Sequence, residues 1–157
     1  MFLQQLKTYG TVGRDPRGRI ISVAFLSLIK ADQTLQAATD AQAAKWHRFD
    51  QLPPLAFDHQ QIVDDALKQL HFLIQTTTIA AQILPKRFTL TQMQELYQQI
   101  LGRSLDKRNF RKRIAELDLL KETSQTFLDG AHRPAKLYEF KQRQFVNFQD
   151  KIHIFLA

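Results

Sequence analysis

Asp106-Lys107-Arg108-Asn109-Phe110-Arg111-Lys112-Arg113-Ile114-Ala115-Glu116-Leu117 sets five cations among three large apolar side chains. Asp106 is a residue type that caps helix N-termini, because its carboxylate accepts from the free amides of the first turn. Phe110, Ile114 and Leu117 recur at i, i+4 and i+7, the spacing of an amphipathic helix. At roughly 100° per residue, Arg108 and Lys112 fall opposite that stripe, and Arg111 lies on the flank towards Lys107. The stripe holds the helix on its own domain, so the basic face points outward. Asp106 is the sole acid between Arg103 and Arg113, so intrahelical ion pairing does not account for most of the charge.

Upstream, Thr89-Leu90-Thr91-Gln92 reads as a capping box. Met93, Leu96, Tyr97, Ile100 and Leu101 then mark a second amphipathic helix, which Gly102 terminates. Downstream, Leu120 to Leu128 and Lys136 to Phe140 read as two strands joined through Asp129-Gly130. Helix, short turn, helix and hairpin is the winged-helix order. In that geometry the second helix lies in the major groove of duplex DNA, and its N-terminal residues meet base edges. Arg pairs bidentately with guanine, and Asn with adenine, which makes Arg108, Arg111 and Asn109 candidate base readers. Arg103, Lys107 and Lys112 suit phosphates, which position a protein without reading sequence. At the hairpin tip, His132-Arg133 and then Lys136 are placed as a wing touching the backbone or minor groove. The competing reading is a solvated basic face and a solvated tip with no ligand.

Charge distribution favours the first reading. The 157 residues carry a net charge of +7. Up to Leu84 there are eight basic and seven acidic residues, and beyond it fourteen against eight, so the excess sits almost wholly in the second half. The chain has no cysteine, which excludes disulfides, thiolate metal sites and a cysteine nucleophile and fits a reducing cytoplasm. The longest apolar run, Ile20 to Ile29, is too short to span a bilayer, and no secretory signal pattern opens the sequence. A soluble, cytoplasmic protein without a membrane partner is expected. None of the five histidines shows a metal-ligand spacing, so neither metal nor cofactor is expected.

The first half is less sharply patterned. Gly13, Asp15, Pro16 and Gly18 make Thr11 to Arg19 a turn region. Arg14, Arg17 and Arg19 could grip a phosphate there, but the turn lacks the pattern of a phosphate-cradling loop, and a solvated turn is the preferred reading. Ile20 to Ile29 has the composition of a strand buried on both faces, with Lys45 to Asp50 a candidate neighbour. After Pro53-Pro54, Asp58 is expected to cap a helix carrying Ile62, Val63, Ala66, Leu67, Leu70, Leu73 and Ile74, with His59 in its first turn. Thr76-Thr77-Thr78 and Pro85 separate this helix from the second half of the chain. Phe145, Phe148 and Phe155 in the tail are expected to pack on the winged helix or on a second subunit.

Several segments resemble the Nudix-related transcriptional regulators, NAD-metabolism repressors with a C-terminal winged helix. They are Leu84-Pro85-x-x-Phe88-Thr89-Leu90, Gly102-Arg103, Asp106 to Lys112 and Arg133-Pro134-Ala135-x-Leu137-Tyr138-x-Phe140. In the first half, Gly13 to Arg19 before an apolar strand, and Trp46…Leu52-Pro53-x-Leu55-Ala56-Phe57-Asp58-His59, resemble the later part of a Nudix domain. The resemblance implies an α+β protein: a truncated, partial Nudix-like layer over residues 1–78, then a winged helix-turn-helix domain over 79–157. It further implies sequence-specific binding to double-stranded DNA as a repressor, a homodimer, and ADP-ribose or a related nucleotide as effector. By this resemblance the glutamate-rich Nudix box belongs before residue 1. Within these 157 residues the first glutamate is Glu95 and no two are adjacent. Hydrolase activity is therefore not expected, and the effector pocket is expected to be incomplete. The strand from Ile20 to Ile29 would then lack partners and could recruit them from another chain. The alternative is a fragment of an ADP-ribose pyrophosphohydrolase of Nudix type, inactive for want of its box.

Overall fold

The computed structural model describes residues 2–29, 43–128 and 134–147. The chain divides into two units, Met1–Leu67 and Lys68–Ala157.

In the first unit, strand β1 (Phe2–Tyr9) pairs antiparallel with β2 (Ser22–Leu28), from Phe2 opposite Leu28 to Tyr9 opposite Ser22. The register slips between Gln5 and Lys7, the signature of a bulge. The expectation of a strand buried on both faces is not met. Burial alternates along β2, with Ala24, Leu26 and Leu28 half-buried and Val23 and Phe25 exposed. Among the described residues β2 has one neighbour, so the period-two pleat covers one face only. Nor does Lys45 to Asp50 form a strand. Phe49–Gln51 is a 3-10 turn, closed by the Gln51 amide donating to the Arg48 carbonyl at 3.1 Å and by Arg48 clasping the Asp50 carboxylate at 2.9 Å.

Helix α1 (His59–Thr76) comes after this turn. Its expected cap is used differently. Asp58 accepts from Arg14 through both carboxylate oxygens, at 2.7 and 2.6 Å, and Arg14 also donates to the Ser22 hydroxyl at 2.9 Å. The Arg14 side chain is 5% exposed, so this part of the turn is not solvated. The guanidinium ties the turn to β2 and to the entry of α1, and holds the Asp58 carboxyl below its ordinary range. Arg17 does reach solvent, but it chelates the buried Asp15 and lies 4.8 Å over the Phe57 ring. Near the middle of α1, Asp65 accepts from the Tyr9 hydroxyl at 3.0 Å. Burial, then that bond, pushes the phenol up to about 12.

The second unit holds the larger core: Leu70, Leu73, Ile74, Ile79, Leu84, Phe88, Met93, Tyr97, Phe110, Ile114, Leu117 and Phe140 are all buried. Thr76, Thr77 and Thr78, read from sequence as a separator, are buried as well. Their hydroxyls have partners: Thr76 donates to the Phe72 carbonyl, Thr77 to Leu73, and Thr78 to Gln144. Val146 bonds Thr78 through both backbone groups, so the segment after the last strand is laced onto this joint. A short helix α2 (Ala80–Ile83) comes next. Arg143 donates to the Ala81 and Leu84 carbonyls at its C-terminal end, groups a helix end leaves without partners.

Helix α3 (Leu90–Leu101) starts at the capping box expected from sequence. Thr89 Oγ1 accepts from the Gln92 amide at 3.1 Å, and Gln92 Oε1 accepts from the Thr89 amide at 2.8 Å. Gly102 ends the helix at φ +65°, in the left-handed region where glycine is unstrained. Helix α4 (Lys107–Glu116) begins at Asp106, whose carboxylate accepts from the Asn109 amide at 2.7 Å. Strands β3 (Leu120–Phe127) and β4 (Ala135–Phe140) then pair antiparallel. Phe88 joins them, exchanging two backbone hydrogen bonds with Tyr138 and stacking 5.2 Å from Phe140. The order α2, α3, α4, β3, β4 is that of a winged helix.

Candidate nucleic-acid interface

Helix α4 presents one face to its own domain and the other to solvent. Phe110 and Ile114 are buried, as is Leu117 just past the helix, and the Phe110 ring meets Tyr97 edge-on at 5.3 Å. That contact fixes α4 on α3, and burial pushes the Tyr97 phenol up. Lys107, Arg108, Asn109, Arg111 and Lys112 are all exposed, Arg108 and Lys112 opposite the stripe and the other three on its flanks. The structure thus brings five of the eight residues singled out from sequence onto the exposed surface of one short helix.

What distinguishes these cations, among the described residues, is that most of them form no ion pair. Among the described residues, Lys107, Arg108 and Arg111 have no ion-pair partner. Lys112 approaches Glu116 only at 3.9 Å, with both side chains well exposed, a pair of little energetic weight. Arg103 is exposed in the turn before α4.

The wing strands are different. Lys136, expected at the wing, bonds Glu122 across the hairpin at 2.8 Å, which raises the lysine above its ordinary value. Arg87 donates to Glu139 at 3.0 Å, and Lys121 lies 3.4 Å from the same carboxylate. Their hydrogen bonds hold Glu139 below its ordinary range, Arg87 first. Reading the sequence alone missed Arg87, Lys121 and their acids. Their pairing depends on strand register, which puts Glu122 opposite Tyr138 and Lys121 opposite Glu139. Arg133, the remaining candidate, and the tip turn at Asp129-Gly130 lie outside the described residues, as do Phe148 and Phe155. Phe145 is half exposed.

In the first unit a shallow apolar hollow is lined by Ile29, Ala43, Ala44, Lys45, Trp46 and His47. Among the described residues no three histidine, aspartate or glutamate side chains stand together as metal ligands. No described helix is long and apolar enough to cross a membrane.

Comparison with known proteins bears on this arrangement. Residues 80–140 match the NrtR DNA-binding winged helix domain. Over 146 residues, 92% of this chain, the sequence is 33% identical to the ADPR responsive transcriptional repressor NtrR of Acinetobacter baylyi. A shorter stretch of 63 residues, 40% of this chain and 37% of the relative, is 38% identical to an ADP-ribose pyrophosphatase of Methanocaldococcus jannaschii. Among solved structures, NrtR of Shewanella oneidensis complexed with a 27mer DNA superposes with a TM-score of 0.71 at 31% identity, covering 89% of this chain and 64% of that one. A MutT/nudix family protein from Enterococcus faecalis superposes at 0.63 with 26% identity, covering 89% of this chain and 62% of that one. The chain spans 58% of the Acinetobacter repressor's length. The fold is accordingly α+β, a Nudix-like layer followed by a winged helix.

Proposed function

We propose, on the premise that this chain is a homologue of the NrtR regulators, that it is a sequence-specific double-stranded DNA-binding repressor acting in the cytoplasm. Residues 79–157 are the DNA-binding domain, and residues 1–78 belong to the side that senses ADP-ribose or a related nucleotide. A homodimer would present two α4 helices to two half-sites one helical turn apart. The observation that carries the reading is the outward face of α4, where Lys107, Arg108 and Arg111 stand without acid partners among the described residues. Uncompensated cations on a rod that fits the major groove suit phosphates and base edges. Paired cations, such as those of the wing strands, do not.

Two substitutions test it. Arg111→Ala should weaken a duplex selected in vitro by the wild-type chain more than a random duplex, because it removes a base contact. Lys112→Ala should weaken both about equally and reduce the salt slope by about one unit. Equal, salt-independent losses in both variants would count against the model.

A second reading, ADP-ribose pyrophosphohydrolase, is favoured only by the stretch shared with the Methanocaldococcus enzyme. The repressor reading is preferred because the match to the Acinetobacter regulator covers 92% of this chain, whereas the match to the enzyme covers 40%. Turnover of ADP-ribose with Mg²⁺ above background would reverse this preference.

A further inference from the structure

The turn between α3 and α4 is held by two glutamines that the sequence did not single out. Leu105 is the last residue before the α4 cap, and its backbone N–H and C=O both face α3. The Gln98 Oε1 accepts from the Leu105 amide at 2.8 Å, and the Gln94 Nε2 donates to the Leu105 carbonyl at 2.7 Å. Gln94 and Gln98 stand four residues apart on α3, one turn above the other, and the Gln94 Nε2 lies 3.5 Å from the Gln98 Oε1. All three residues are half-buried, where an unmet backbone group is costly. One peptide position is thus gripped at both of its polar groups by the helix that supports the recognition helix.

We propose that Gln94 and Gln98 are positioning residues that lock Leu105, and through it the angle at which α4 meets DNA. The proposal rests on the DNA-binding function proposed for this chain. A base-reading site tolerates little looseness, about 0.5 Å, before its contacts fail. Phosphate contacts through flexible lysines tolerate more. Loss of the clamp therefore costs discrimination between sequences ahead of overall affinity.

The chemistry of the clamp is asymmetric, which supplies the test. Gln98 acts as an acceptor, so Gln98→Glu keeps its bond. Gln94 acts as a donor, so Gln94→Glu sets a carboxylate against a carbonyl. Both substitutions add the same charge to the same helix face, so electrostatic repulsion from DNA cancels in the comparison. In the full 157-residue chain, the readouts are the affinity ratio of the selected over the random duplex, and hydrogen exchange at the Leu105 amide. Q98E should keep the ratio within about twofold, and Q94E should lose about tenfold, the cost of one buried unmet acceptor. Should Q94E not fold, Gln94→Met, which lacks donor and charge at similar length, carries the same expected loss. Leu105 should exchange slowly in wild type and Q98E and faster in Gln98→Met. Equal ratios for Q94E and Q98E, or Leu105 exchange unchanged by Gln98→Met, would overturn the clamp. A wild-type chain that prefers no duplex would sink the DNA reading instead, and the exchange series would still judge the clamp itself.

Discussion

Phe110→Ala removes the side chain on which the position of α4 depends. Phe110 is 2% exposed and packs edge-on against Tyr97, itself 2% exposed. Truncating a buried phenylalanine costs about 3–5 kcal/mol, because transfer free energy is lost and a cavity remains. The edge-on ring pair is worth about 0.5–1.5 kcal/mol beyond buried area. Domains of this size are stable by only about 5–15 kcal/mol, and each kcal/mol moves the melting temperature of a domain of fewer than about 100 residues by roughly 4–8 °C. The variant should therefore melt at least about 12 °C below wild type, followed by far-ultraviolet circular dichroism. Phe127→Ala is the control, since Phe127 is 42% exposed on β3 and its loss should shift the melt by no more than a few degrees, an exposed substitution costing about 0.5 kcal/mol. If Phe110→Ala and Phe127→Ala melted alike, the apolar stripe would not be what anchors α4.

Other expectations are more local. Thr89→Ala removes the hydroxyl that accepts from the Gln92 amide, leaving the bond from the Thr89 amide to Gln92 Oε1 in place, and should cost about 1 kcal/mol, read as a lower urea midpoint. Glu139→Gln releases Arg87 and Lys121, so random-duplex affinity should rise and the salt dependence steepen by about one unit; an unchanged slope would show that these cations do not reach phosphate. Acid should weaken the first unit: Arg17 holds Asp15 at about 2 against an ordinary 3.8. A depressed folded-state value stabilises above the unfolded pKa, and the contribution is lost as pH falls from about 4 towards 2. Urea midpoints should drop through that window in wild type and less so in Asp15→Asn.

The second half of the chain was legible because each local signal agreed with the next. Thr89 and Gln92, Gly102, Asp106 and the Phe110–Ile114–Leu117 stripe all act within a few residues, and all act as their chemistry requires. The first half was not, because its contacts are long-range. The Arg14 guanidinium meets Asp58 and Tyr9 meets Asp65 across 44 and 56 residues, and no spacing rule encodes such a pair. Asp58 beside a helix start reads as a cap until a buried arginine claims it. The apolar density of Ile20 to Ile29 suggested burial on both faces. Composition reports what a strand could bury, whereas the number of neighbouring strands decides what it does bury. On α4 the exposed cations followed from the helical wheel. The neutralisation of Lys136 needed the hairpin register, and the role of Gln94 and Gln98 needed the turn's backbone geometry.

Protection of guanine N7 from dimethyl sulfate on a duplex selected by the wild-type chain reports whether α4 enters the major groove, because N7 is reached only from there. Wild type should protect guanines, with one position regaining reactivity in Arg111→Ala while its neighbours stay covered. Binding that leaves every guanine N7 reactive would place α4 outside the groove and rule out base reading by its arginines.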